Sequence, residues 1–95
     1  MRFERISPEE GLSQSLVSSI CQDVTGFMWF GTHDGLNRYD GNSVRIFENE
    51  ISDPESISNN QIEYLLRDLK NNLWIGCNDE FISLYDKYRE KFINI

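Results

Sequence analysis

The sequence predicts an all-β fold built from two similar four-stranded antiparallel sheets. Three observations lead to this prediction. A stretch near the start, GFMWFGTHDGLNRYDG at residues 26–41, returns about 45 residues later as NLWIGCNDEFISLYD. The apolar residues in each copy follow the spacing of strands rather than of helices. Finally, Gly, Asn and Asp residues divide each copy into four short segments at turn positions.

The internal repeat covers most of the chain. Shifts of 45 or 46 residues align identical or similar residues, among them Val17 and Ile62, Trp29 and Trp74, Gly31 and Gly76, Tyr39 and Tyr85, and Phe47 and Phe92. Four short strands in 40 to 50 residues are typical of one β-propeller blade. We therefore predict a β-propeller fragment with blades at residues 12–50 and 57–95. Residues 1–8, whose Phe3 resembles Phe47, are predicted to add an N-terminal outer strand of a neighbouring or closing blade.

The residues of the first copy predict four strands, taken here in chain order. Residues 15–23, SLVSSICQD, carry apolar side chains on both faces of an extended chain, as a strand between two sheets does. Residues 26–32, GFMWFGT, are almost all apolar, which predicts a strand buried on both faces. Residues 35–40 and 43–49 follow as two shorter strands. Residues 47–60 hold Pro54 and four acids, which predicts an exposed connection between the blades.

Turn residues separate these strands. The first turn of each copy, Asp23–Gly26 and Asp68–Asn71, ends on a residue that tolerates positive φ. Asp34-Gly35 and Asp40-Gly41 are typical of primed hairpin turns. The second copy lacks both pairs and carries one extra residue, so we expect its outer hairpins to be longer. Gly31 and Gly76, each two residues after a Trp and inside a strand, predict a close approach of the backbone to a neighbour.

Residues 59–74 also fit a helix, because Ile62, Leu65, Leu66 and Leu69 are spaced at i, i+3, i+4 and i+7. The matching stretch of the first copy, QSLVSSICQDVTGFMW, is rich in Ser and β-branched residues. Because the two copies must share one structure, a strand is the better prediction for both.

The first copy resembles the two-component regulator propeller repeat. It has a Gly-Leu-Ser-Gln-Ser lead-in, then Ile-x-x-Asp, Gly-x-x-Trp-x-Gly-Thr and Asp-Gly-Leu-Asn-Arg-Tyr-Asp. The second copy departs from this pattern at Cys77, in the Thr position, and at Glu80, in the Gly position. The resemblance implies a periplasmic part of an inner-membrane-anchored hybrid sensor histidine kinase of Bacteroidetes, one that senses oligosaccharides. It also implies that this chain is an amino-terminal piece without the kinase.

Charge excludes two classes of partner. The net charge of −7 and the scattered Lys and Arg residues argue against nucleic acid and against direct contact with an anionic membrane. No apolar run reaches the ~18 to 20 residues that a membrane helix needs. Cys21 and Cys77 lie 56 residues apart without zinc-site spacing, so we expect two small buried side chains rather than a disulfide.

The sequence predicts no catalytic, cofactor or metal site. Cys21 with His33 would need a nucleophile close to a base, but the cysteine falls within a strand and the histidine at a turn. The polar residues Asp23, Asp34, Asp40 and Asn42 do not follow the order of a calcium-binding loop. Capping of turns by Asx side chains explains them better.

Ligand-contact residues cannot be ranked from the sequence. Trp29 and Trp74 could stack on sugars, but their apolar surroundings favour packing between blades. Polar residues expected in loops are the alternative candidates, namely His33, Asn37, Arg38 and Asn42. The ligand-binding residues are therefore left unassigned.

The predicted function is that of a non-catalytic piece of an extracytoplasmic sensor for oligosaccharides or glycan breakdown products. The alternative is a propeller scaffold that binds only proteins. Because a blade buries its faces against its neighbours, two blades leave apolar faces open. We therefore expect this chain to self-associate, as a ring of several chains or by strand exchange, or to pack on further blades of a longer protein.

Overall fold

The computed structural model describes residues 16–95, which form eight strands in two four-stranded antiparallel sheets. The strands of blade 1 are β1 (Val17–Gln22), β2 (Met28–Thr32), β3 (Gly35–Tyr39) and β4 (Val44–Phe47). Those of blade 2 are β5 (Ile62–Arg67), β6 (Leu73–Cys77), β7 (Ile82–Asp86) and β8 (Lys91–Asn94). Each strand pairs with the next along the chain, so both sheets are meanders. The predicted fold class is confirmed, while the predicted strand at residues 1–8 lies outside the described residues.

The first hairpins of the two blades are built alike. In blade 1, Cys21 lies opposite Trp29, and in blade 2, Leu66 lies opposite Trp74. Both inner strands bulge at the same place, after Val17 and after Ile62. Residues 59–74 thus form a strand, a turn and the start of a second strand, and the helical alternative is wrong. The helical spacing is outweighed because β5 buries Ile62 on one face and pairs with β6 along its length.

The outer hairpin differs between the blades. Tyr39 lies opposite Val44 in blade 1, whereas Tyr85 lies opposite Phe92 in blade 2. Phe92 therefore occupies the register position of Val44, and its alignment with Phe47 in the sequence is wrong. The reason is that six residues, 86–91, separate Tyr85 from its partner, whereas four, 40–43, separate Tyr39 from its partner, so this hairpin is longer in blade 2, as predicted. The two phenylalanines meet instead across the blades, with ring centroids 5.6 Å apart.

Glycine and asparagine serve the turns in three ways. Gly26 (φ 96°) and Asn71 (φ 65°) close the first turns of the two blades, as predicted. Gly41 (φ 97°) occupies the first central position of the β3–β4 turn, which a type II′ turn requires. The prediction of a primed turn at Asp34-Gly35 is wrong. Gly35 already pairs with Thr32 in the sheet, and the Thr32 hydroxyl holds the intervening loop by accepting from the Asp34 N–H (3.0 Å).

The main core lies between the two blades. Blade 1 presents Trp29, Leu36 and Phe47 to it. Blade 2 and the connection present the remaining buried residues, which are Ile57, Ile62, Leu73, Ile75, Cys77 and Phe92. The predicted close approach at Gly31 is confirmed, since a Cβ there would lie 2.6 Å from Cγ2 of Ile62. Gly31 therefore lets the inner strand of blade 2 touch blade 1.

The inner strands of the two blades are also joined by hydrogen bonds. The hydroxyl of Ser18 donates to the carbonyl oxygens of Gly31 (3.0 Å) and Ile62 (2.6 Å). The hydroxyl of Ser19 accepts from the backbone N–H of Leu65 (3.1 Å). The serines that favoured a strand in the sequence thus also satisfy polar groups between the blades.

Trp29 and Trp74 have different surroundings despite their equivalent positions. Trp29 is fully buried and packs on Phe47 and Tyr85, with ring centroids 5.7 and 4.8 Å apart. The prediction of packing between blades is confirmed for this residue. Trp74 is only partly buried and lies on the face of blade 2 that points away from blade 1. In the described part of the chain, it does not pack between blades.

The connection between the blades is bound more tightly than predicted. Its Ile57 is fully buried, because the segment runs along the outer edge of β8. The Glu55 carbonyl accepts from the Phe92 N–H (2.8 Å), and Asp53 pairs with the Lys91 ammonium (2.8 Å). The expectation of an exposed connection is therefore wrong for its central residues. Coverage of this kind protects a sheet edge from pairing with other chains.

An aspartate holds the tryptophan in each blade. Asp23 accepts from Nε1 of Trp29 (2.8 Å), and Asp68 accepts from Nε1 of Trp74 (2.9 Å). The second oxygen of each carboxylate accepts backbone N–H bonds in its own turn, which confirms Asx capping at Asp23. The hydrogen bond from Trp74, followed by that from the Asn72 backbone, lowers the pKa of Asp68 from 3.8 to about 2.

The Asp68 carboxylate makes the stability of blade 2 depend on pH in the acid range. Because the folded pKa of Asp68 is lower than its unfolded value, its stabilising effect is full above about pH 4 and is lost as the pH falls through about 2. We expect the melting temperature of the Asp68→Asn variant to change less between pH 5 and 2 than that of the wild type. Circular dichroism melts measure this, with Glu80→Gln, an exposed acid in the β6–β7 loop, as the matched control. Equal pH slopes for Asp68→Asn and the wild type would contradict the assignment.

Candidate functional site

A groove opens where the two blades meet, at the end of the sheets that carries the β1–β2, β5–β6 and β7–β8 turns. Its volume is about 800 Å³. Its wall combines aromatic rings, amides and charged groups, contributed by Phe27, Arg38, Lys70, Asn71, Asn72, Tyr85, Lys87, Tyr88 and Glu90, among others. The side chains of turns can vary without loss of the fold, because the strands beneath the turns hold the backbone in position.

The base of the groove is a charge network centred on Arg38. One guanidinium nitrogen donates to Oε2 of Glu90 (2.9 Å) and to the hydroxyl of Tyr85 (3.0 Å). Arg45 pairs with the other oxygen of Glu90 (2.6 Å). The Arg38 guanidinium also lies 4.9 Å from the ring centroid of Phe27, within cation–π range. The network therefore joins blade 1 to the last hairpin of blade 2.

This network places two guanidinium groups against one carboxylate at the base of the groove. Hydrogen bonds from Arg38 and then Arg45 lower the pKa of Glu90, which stays ionised at neutral pH. Burial raises the pKa of Tyr85, which stays a neutral hydroxyl. These groups are suited to orient a polar ligand rather than to transfer a proton near neutral pH.

The rim of the groove is polar and accessible. Tyr88 is 88 % exposed at the tip of the β7–β8 loop, beside Lys87. The Asx turn formed by Asp68 holds the backbone of Lys70 and Asn72 by bonds of 2.9 Å each. An exposed aromatic face next to amide and ammonium donors is the combination that binds hydroxyl-rich or acidic small molecules.

The structure separates the four polar candidates from one another. Arg38 lines the groove, but it lies on β3 and is held by its ion pair. Asn37 is fully buried on the same strand, so the expectation that both lie in loops is wrong. His33 lies in the β2–β3 loop at the opposite end of the sheet, 3.9 Å from a carboxylate oxygen of Glu63. Asn42 lies in the exposed β3–β4 turn.

The Cys21–His33 pair is not assembled. Cys21 lies opposite Trp29, whereas the strand residue nearest the His33 loop is Val17. Four residues of strand separate the two ends, about 13 Å. Burial raises the pKa of the Cys21 thiol, which opposes formation of a thiolate nucleophile. Both cysteines are free thiols, with Cys77 buried as expected and Cys21 partly buried.

Metal ligation has no basis in the described residues. Residues 16–95 contain no group of three or more His, Cys, Asp or Glu side chains that could hold an ion. Asp40, one of the calcium candidates, instead accepts from the backbone N–H groups of Asn42 (2.8 Å) and Ser43 (2.9 Å).

Sequence reasoning missed the second-blade residues of the groove. Tyr85 was found only as a repeat position, and Glu90 and Tyr88 belong to the loop in which the repeat breaks down. The available signal was the change in the offset between the copies after Asp86, from 46 to 45 residues, because changes in the length of a repeat map to loops and often to a binding face.

Two adjoining four-stranded meanders, packed face to face with their inner strands side by side, define a segment of a β-propeller. Residues 11–34 match the sequence profile of the two component regulator propeller family. This stretch therefore resembles one two-component regulator propeller repeat.

Known proteins of the same kind are much longer. The chain is 48 % identical over 56 residues to histidine kinase P4 of Formosa agariphila, a stretch that covers 59 % of this chain and 4 % of that protein. It is similar to the extracellular domain assigned to the hybrid two component system BT3049 of B. thetaiotaomicron, with a TM-score of 0.83 and 32 % identity, over 94 % of this chain and 12 % of that one. The corresponding domain of BT4673 gives a TM-score of 0.65 at 32 % identity, over 81 % and 11 % of the chains.

The chain thus corresponds to a small part of each relative's length. Within the described residues, no helix has the length and hydropathy needed to cross a bilayer.

Proposed function

We propose that this chain is a non-catalytic part of the periplasmic sensing region of a hybrid two-component signalling protein, and that its groove binds an oligosaccharide. The observation that carries this proposal is the similarity to extracellular domains of such systems over 94 % of the chain. Histidine kinase P4, the relative matched over 56 residues, is consistent with the same class.

The chemistry of the groove supports a sugar as the ligand. Sugars present apolar C–H faces that stack on aromatic rings and hydroxyls that bond to amides and charged groups. Tyr88 offers the ring, while Asn71 and Lys70 offer donors on the facing turn. The groove is also formed by both blades, so a ligand there contacts two repeats at once and its binding depends on their relative position.

The test is binding of a panel of neutral and acidic oligosaccharides to the purified chain, followed by calorimetry on those that bind. For the Tyr88→Ala variant we expect an affinity about 5- to 10-fold lower, since one aromatic contact contributes about 1–1.5 kcal/mol. Its melting temperature should be unchanged, because the ring is exposed. Phe81→Ala is the matched control: it removes another exposed ring, from the β6–β7 loop at the other end of the sheets, and should leave affinity unchanged.

Three outcomes would contradict the proposal. Failure of every oligosaccharide to bind would favour the protein-binding scaffold. Equal effects of the Tyr88 and Phe81 substitutions would place the ligand outside the groove. Cleavage of a bound oligosaccharide, detected by mass spectrometry, would mean that the chain is an enzyme.

A further inference from the structure

Two arginines of blade 1 lie directly opposite each other beneath the groove and share one carboxylate. Arg38 on β3 and Arg45 on β4 are register partners in antiparallel strands. Both guanidinium groups lie over the ring of Phe47, 5.6 and 4.5 Å from its centroid. Like charges in this arrangement destabilise a sheet. Among the ion pairs of residues 16–95, only those with Glu90 (2.9 and 2.6 Å) offset them, so the pair is one negative charge short of balance.

The two guanidinium groups line different cavities. Arg38 lines the groove, whereas Arg45 lines a smaller cavity of about 170 Å³ between the outer strands of the two blades. Glu90 lines both cavities and therefore forms part of the wall between them. An acidic group that enters the groove reaches Arg38 and finds Glu90 already bound there.

Arg38 retains hydrogen-bond donors that a ligand can use. Its bonds to Glu90 and to the hydroxyl of Tyr85 both come from Nη1, and its Nη2 and Nε donate to no acceptor in the described part of the chain. The Tyr85 hydroxyl accepts from Arg38 and still has its own hydrogen to donate. The ring of Phe27 helps to hold the guanidinium in position before a ligand arrives. These donors suit a carboxylate, which accepts several hydrogen bonds at once.

Glu90 reaches the arginines from a rare backbone conformation. Its φ is 55°, in the left-handed region that residues other than Gly, Asn and Asp seldom adopt. It is the last residue of the β7–β8 loop. A strained conformation persists only where surrounding contacts hold it, and the contacts here are the ion pairs with Arg38 and Arg45. A competing anion is therefore helped by release of the strain.

We propose that Arg38 and Tyr85 form a subsite for the carboxylate of a uronic acid in the ligand, and that Glu90 occupies this subsite until such a ligand displaces it. Glu90 then keeps Arg45 as its partner, so that two guanidinium groups face two carboxylates. The inference rests on the proposed oligosaccharide site and adds the acidic class of its ligand and the residue that competes with it. Because Glu90 ends the loop that carries Tyr88, binding also releases one of the two ion pairs that tie this loop to the arginines of blade 1.

Calorimetry with matched acidic and neutral probes tests the ligand class. The acidic probes are trigalacturonate, trimannuronate and the hyaluronan tetrasaccharide. The neutral probe for each is its methyl ester, which keeps the sugar and removes the charge. We expect at least one acid to bind and its ester to bind about 10-fold more weakly, since a hydrogen bond to a charged group is lost.

Removal of the competing carboxylate should strengthen binding. For Glu90→Gln, which keeps the size of the side chain, we expect the affinity for the acid to rise about 5- to 10-fold and that for the ester to stay the same. Glu55→Gln is the matched control. It removes a carboxylate that pairs with Arg89 of the same loop (2.6 Å) but lies outside the groove, and it should leave both affinities unchanged. Equal gains in the two variants would reduce the effect to net charge and overturn the inference.

Arg45 is expected to act as a positioning residue through Glu90. In Arg45→Gln, Glu90 has only Arg38 as an ion-pair partner, so the affinity for the acid should fall about 3-fold. That loss should disappear in the double variant Arg45→Gln/Glu90→Gln, which has no competing carboxylate. Arg45 is half-exposed, so its replacement should leave the circular dichroism spectrum unchanged. A loss that persists in the double variant would mean that Arg45 contacts the ligand itself and would contradict the arrangement proposed.

The outcomes separate this inference from the proposed function. Equal affinities for acids and esters, or weaker binding of the acid by Glu90→Gln, would overturn the inference and leave the groove as a sugar site. Binding of neutral oligosaccharides alone would do the same. If no oligosaccharide binds, the proposed function fails, and this inference fails with it.

Discussion

Replacing Trp29 with Ala should lower the free energy of unfolding by about 3–5 kcal/mol, the range for removing a buried aromatic side chain. Trp29 is fully buried between the blades, and its indole contacts the rings of Phe47 and Tyr85. Cα positions fixed by paired strands on both sides leave the cavity little room to collapse. Urea unfolding followed by circular dichroism at about 5 μM protein measures the loss without interference from self-association.

Trp74→Ala is the matched control for this substitution. Both indoles donate a hydrogen bond to an aspartate at nearly the same distance, 2.8 Å for Trp29 and 2.9 Å for Trp74. Both also occupy the same place in their hairpins, so the difference between the variants isolates burial between the blades. We expect Trp74→Ala to cost less than half as much as Trp29→Ala. Equal costs would show that the contact between the blades does not stabilise the chain.

Replacing Gly31 with Ala should cost about 1–3 kcal/mol, the usual cost of overpacking a rigid interior. The new Cβ would lie 2.6 Å from Cγ2 and 3.2 Å from Cβ of Ile62. Ile62 is fully buried on a strand that hydrogen bonds to both β6 and Ser18, so it cannot move aside without separating the blades. The midpoint and slope of urea unfolding measure the loss.

The equivalent substitution in blade 2 provides the control. At Gly76 the new Cβ would meet the ring of Tyr64, which is half-exposed and can rotate toward solvent. We therefore expect Gly76→Ala to cost clearly less than Gly31→Ala. A double-mutant cycle of Gly31→Ala with Ile62→Ala should show coupling, since removing Cγ2 relieves the closest contact. Additive effects in that cycle would locate the strain outside this pair.

The β5 strand shows what sequence patterns can and cannot predict. Taken alone, residues 59–74 have the apolar spacing of a helix, and only the Ser-rich first copy reversed that interpretation. The repeat was decisive because two homologous segments bury the same face and cannot differ in secondary structure. Where the repeat breaks down, after Asp86, the sequence alignment misplaced Phe92 by three residues. The length of a loop shifts the register without leaving a periodic signal.

The groove shows that contacts between residues far apart in the sequence are also not predictable from local patterns. Arg38 meets Tyr85 and Glu90 across 47 and 52 residues of sequence. No local sequence pattern predicts these contacts of Arg38, because the charged groups become neighbours only when blade 2 packs on blade 1. Ile57, which the acidic composition of the connection assigned to solvent, is buried for the same reason.

By itself, the sequence determined the class of the fold, the eight strands in two similar copies, and the turn residues of the first hairpins. It could do so because strand periodicity and turn chemistry are local properties of the chain. The tertiary structure alone decided which copy of a repeated residue is buried. Trp29 and Trp74 have nearly the same sequence surroundings, yet only Trp29 has a sheet packed on it. The difference comes from their places in the array, since burial depends on what packs against a face and not on the residues that form it.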